Sequence, residues 1–64
     1  MIYSYQKENS PNLDALEASI NLSIFVDAYN YLRWDADDTY LKIYLHRELN
    51  TVEKTLLDGL VLLV

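Results

Sequence analysis

The chain has 64 residues, of which 52% are hydrophobic, and ten acidic against five basic side chains give it a formal net charge of -5. One domain of this length buries only about 60% of the surface its unfolded chain exposes, and the absence of cysteine closes the disulfide route to extra stability and nearly closes the zinc route. Oligomerisation remains as the supplement, while the hydrophobic content excludes disorder and the negative charge argues against binding a nucleic-acid backbone.

In chain order, Ile2-Tyr-Ser-Tyr-Gln6 alternates strand formers and is expected to be an edge strand. Lys7 to Asn12 reads as a turn. Ser10 before Pro11 is a helix-start signal, because a serine oxygen can accept from a free N–H and proline at the first helical position loses no bond. Leu13, Leu16 and Ile20, with Ser23 or Ile24, line one face, so the helix is predicted from Pro11 to between Ser23 and Ala28. A second strand is predicted over Ala28–Trp34, a hairpin turn over Asp35-Ala-Asp-Asp38 and a third strand over Thr39–His46.

There the hydrophobic period changes from two to about 3.6. Leu41, Ile43 and Leu45 point to one side of the third strand, and Tyr40, Lys42, Tyr44 and His46 to the other. Asn50 then caps a helix, with Glu53 placed to bond back to the cap. Val52, Leu56, Leu60 and Val64 recur every four residues, widened by Leu57, Val61 and Leu63. Gly59 interrupts that stripe, which suggests close approach of a neighbouring backbone or fraying. The fold class that follows is α+β, a small antiparallel sheet covered on one face by two helices in the order β-α-β-β-α, as a single domain spanning 1–64.

Candidate chemistry is sparse. His46 is the one histidine, with no nucleophile identifiable as its partner. Asp35, Asp37 and Asp38 resemble the start of a calcium loop but lack its turn glycine and its glutamate twelve positions on. One glycine in the whole chain leaves no phosphate-cradling loop. No catalytic residue, metal, cofactor or small-molecule substrate is therefore expected. Met1-Ile-Tyr-Ser-Tyr has no signal-peptide pattern, and the apolar run Leu60–Val64 is far short of the ~20 residues that span a bilayer, so a soluble chain without membrane contact is expected.

The unusual feature is aromatic. Tyr3, Tyr5, Tyr29, Tyr31, Tyr40 and Tyr44 all fall in predicted strands. By parity Tyr29, Tyr31 and Arg33 share a side, as do Tyr40, Lys42, Tyr44 and His46. If Leu32 and Leu41-Ile43-Leu45 face the helices, the open sheet face is rich in tyrosine and basic residues, a composition common in protein interfaces. Tyr29, Tyr31, Arg33, Tyr40, Lys42 and Tyr44 are the expected protein-binding residues. Leu60, Leu63 and Val64 join them, because the second helix carries more apolar surface than a small core can cover.

The run Leu45-His-Arg-Glu-Leu-Asn-Thr-Val-Glu-Lys-Thr-Leu-Leu-Asp-Gly-Leu-Val61 resembles a pattern in small tailed-bacteriophage proteins and in the leading segments of some phage virion proteins. There an apolar strand precedes a leucine, a cap residue, an acid three positions later and a Leu-Asp-x-Leu/Ile-Val helix end. Leu16, Ile20, Ser23 and Phe25 are similar to that pattern's upstream spacing. The hairpin glycine often present there is absent, and Leu62-Leu63-Val64 replaces a basic or histidine-containing segment. The resemblance implies a non-enzymatic virion protein that assembles with itself or with other virion proteins. The alternative reading is a small acidic inhibitor that binds a host protein.

Overall fold

Residues 1–64 are described by a computed structural model, in which the order is β1 (Ile2–Gln6), α1 (Leu13–Asn21), a 3₁₀ turn (Val26–Ala28), β2 (Tyr29–Asp35), β3 (Tyr40–Leu45) and α2 (Thr51–Leu62). The three strands form one sheet in the order β1-β3-β2, antiparallel throughout. Both helices lie on one face of it, so the architecture is the expected α+β arrangement. β3 is central, bonded to both other strands, and its clean alternation turns one side wholly into the core. Leu41, Ile43 and Leu45 are all buried, joining Leu16, Ile20, Phe25, Ala28, Leu49, Leu57 and Val61 in one core.

The first helix is shorter than its apolar spacing predicts. Its cap is Asn12, whose Oδ1 accepts from the Ala15 N–H at 3.1 Å. Ser10 and Pro11 precede the helix, since asparagine caps as well as serine and Pro11 is buried ahead of it. At the other end the Ser23 hydroxyl and N–H both donate to the Ile20 carbonyl, at 2.6 and 3.0 Å. That local bonding competes with further helix and ends α1 at Asn21. The chain then turns so that Phe25, fully buried, enters the core and Ile24 stays 66% exposed.

The β2–β3 hairpin closes through Ala36–Thr39. Thr39 holds φ at 58°, the left-handed region in which a β-branched residue is strained and where hairpins of this kind favour glycine. Asp35 and Asp38 support the turn by accepting from the N–H groups of Asp37 and Tyr40.

The capping box of α2 is present as read: Asn50 Oδ1 accepts from the Glu53 N–H and Glu53 Oε1 from the Asn50 N–H, each at 2.9 Å. The inward face is rotated from the expected one. Glu53, Leu57 and Val61 are buried, with Leu60 and Val64 packed partly against the core, whereas Val52, Leu56 and Leu63 are exposed. The rotation follows from Glu53, which is 6% exposed and meets Arg47 in a bidentate pair, both contacts 2.8 Å. Gly59 has open space where a Cβ would stand and lies within the helix, so neither close approach nor fraying accounts for it. Lys7, at the end of β1, donates to the carbonyls of Val61 and Val64 at 2.6 and 2.8 Å, placing a cation at the negative end of α2.

Candidate protein-binding surface

The uncovered face of the sheet is built from three cross-strand rows. Pairing places Ile2, Tyr44 and Tyr31 in one row, Ser4, Lys42 and Arg33 in the next, and Gln6, Tyr40 and Asp35 in the third. The first row is apolar and aromatic. Tyr31 and Tyr44 stack with centroids 4.3 Å apart and planes 7° from parallel, and Ile2 beside them is 50% exposed.

The middle row sets two cations directly opposite, an arrangement that is unfavourable by itself. It is relieved on both sides. Lys42 reaches Asp35 at 3.2 Å and Asp38 at 3.3 Å, hydrogen bonds that raise its pKa, while the same ammonium lowers that of Asp35. Arg33 forms no ion pair and lies over the Tyr44 ring, 5.9 Å from its centroid, a cation–π approach. Asp35 and Asp38 of the hairpin are thus engaged with lysine. Among all His, Cys, Asp and Glu side chains, no group of three or more gathers to hold a metal ion.

Of the residues expected on this face, Tyr31, Arg33, Tyr40, Lys42 and Tyr44 are brought together. Tyr29 is not. The register shifts between Tyr29 and Tyr31, so that Tyr29 pairs with Leu45 and Tyr31 with Tyr44. This bulge at Asn30 turns Tyr29 to the helix side, where its hydroxyl donates to Glu17 at 2.6 Å; burial and that carboxylate raise its pKa. Arg47 also lies on the helix side, held by Glu53 and Asp27. His46 is exposed at the end of β3.

The helix-side tyrosines of β1 act as braces. Tyr3 accepts from the Leu49 N–H at 3.1 Å, and Tyr5 donates to Asp58 at 2.6 Å. Burial first and then Asp58 raise the Tyr5 pKa. Lys54 pairs with Asp58 and lies about equally far from the Tyr3 and Tyr5 rings.

Of the second-helix residues, Leu63 is 83% exposed, whereas Leu60 and Val64 are half-buried against the core. Ile2, Ser4 and Gln6 are the part of the open face that sequence reasoning missed. Their alternation with Tyr3 and Tyr5 was readable, but only pairing with β3 decides which set is uncovered. No helix is long and apolar enough to cross a membrane. No protein-family model, curated protein or solved structure matches the chain.

Proposed function

We propose that the chain is a non-enzymatic structural or assembly protein that works by presenting its open sheet face to other protein subunits. The setting is the one the phage resemblance implies: a virion, with further copies of the chain or neighbouring virion proteins as partners. The supporting observation is the row Ile2–Tyr44–Tyr31 with Arg33 over its end, a preformed aromatic patch left uncovered by either helix. Stacked, rigid aromatics beside an unpaired arginine suit an interface centre, because they give large contact area at low entropic cost.

Electrostatics favours protein over nucleic acid as the partner. Aromatics beside cations can stack bases, but Lys42 is already neutralised by two carboxylates and the chain carries a net charge of -5. Tyr31→Ala combined with Tyr44→Ala is expected to lower the assembled mass in light scattering, or abolish partner capture, while the far-ultraviolet circular dichroism is retained. Tight, salt-sensitive binding of single-stranded DNA by the wild type, lost in the double variant, would instead make the face a nucleic-acid platform.

A further inference from the structure

The sheet has two outer edges, and they are protected differently. β2 carries the bulge at Asn30 and the charges of Arg33 and Asp35, devices that discourage strand addition. β1 has no bulge in its pairing and no charge or proline from Ile2 to Gln6. Met1 exchanges both backbone bonds with Leu45, and the Lys7 N–H donates to Thr39. Odd-numbered residues are therefore the ones bonded to β3, and Ile2, Ser4 and Gln6 turn their N–H and C=O groups outward.

We infer that β1 pairs edge to edge, antiparallel, with β1 of a second copy about a two-fold axis at Ser4, joining two sheets into one of six strands. The inference rests on the self-association part of the proposed function and adds an edge contact to the open-face one. With Ser4 opposite Ser4, Ile2 lies opposite Gln6, and the outward groups form about six inter-chain hydrogen bonds. The same register sets Tyr3 of one copy opposite Tyr5 of the other.

Shape selects a second copy as the occupant, because each copy carries both an apolar wall and the exposed methionine that this register sets against it. Between β1 and α2 runs an open groove of about 540 Å³ whose wall includes Val61 and Leu62. Leu62 is 80% exposed and Met1 52%. Since Lys7 stands opposite Met1 of the second copy, that methionine falls on the helix side, against this wall.

Cysteine cross-linking of the full chain tests the axis. Ser4→Cys places two thiols on Cα atoms about 5.5 Å apart, within disulfide reach, and should give a covalent dimer under mild oxidation. Gln6→Cys is the control, because its two copies lie about 14 Å apart and should stay unlinked. Ser4→Pro removes only an outward N–H, which an edge strand tolerates, and should yield a folded monomer. Ser4→Lys should raise the dimer dissociation constant by about tenfold or more, through like charges at the axis, and it serves if the proline variant fails to fold.

Equal cross-linking of the two cysteine variants, an unchanged mass for a folded Ser4→Lys protein, or a monomeric wild type at high micromolar concentration would overturn the inference. The Tyr31→Ala, Tyr44→Ala protein bearing Ser4→Cys should still cross-link. Loss of the open-face function and loss of the edge contact are thus read separately.

Discussion

Three tyrosines stand on each face of the sheet, and their surroundings differ. On the helix side Tyr3, Tyr5 and Tyr29 each reach another part of the chain, at the Leu49 N–H, Asp58 and Glu17. On the open side Tyr31, Tyr40 and Tyr44 bond to no helix and no carboxylate; two of them stack on each other. One residue type thus serves as internal brace on one face and as available contact surface on the other. The face it occupies, and not its chemistry, decides which.

The largest effect should come from the covered side. Phe25→Ala is expected to cost about 3–5 kcal/mol in chemical denaturation, a large fraction of the stability of a domain this small. Tyr31→Ala should cost only about 0.5–1.5 kcal/mol through the aromatic pair. Comparable losses at the two positions would erase the distinction between core face and contact face.

Glu53 gives the next test. Hydrogen bonds from Arg47 first, and then from the Asn50 backbone, hold its carboxyl down at about 2, against an ordinary value of 4.5. A depressed folded-state pKa contributes stability that is complete above the unfolded value and disappears as pH falls through the folded one. The denaturation midpoint should therefore drop between about pH 5 and pH 2. Glu53→Gln keeps a capping residue but should start less stable and show a shallower acid limb. An acid limb identical to wild type would show that the Arg47 pair does not hold α2 in its observed rotation. Asp35 and Asp58, also depressed by lysine partners, leave a residual slope.

A paired hydroxyl deletion sharpens the comparison further. Tyr5→Phe removes a bond to Asp58 and should cost about 0.5–1.5 kcal/mol. Tyr44→Phe removes no bond to another element and should leave the denaturation midpoint within error. The smallest change is a gain: Gly59→Ala fills open space on the helix and should stabilise the fold by up to about 1 kcal/mol. A destabilised Gly59→Ala protein would mean that this side of α2 is covered in the assembled state.

Local features were legible in the chain. The alternation of Leu41, Ile43 and Leu45, the capping box of Asn50 with Glu53, and the first strand at Ile2–Gln6 depend on neighbours within a few residues, so their periodicity and side-chain chemistry were sufficient. Tertiary structure decided what depends on distant partners. Two apolar rows on α2 competed for the core, and the row containing Glu53 faces inward because Arg47, supplied from beyond the end of β3, satisfies its carboxylate. The bulge at Asn30 reverses the parity of Tyr29 relative to Tyr31, since β2 must pair with β3 at both ends of the irregularity. Which half of β1 remains uncovered, and that its outer edge is free, were set by the strand order β1-β3-β2, a long-range pairing that no local pattern specifies.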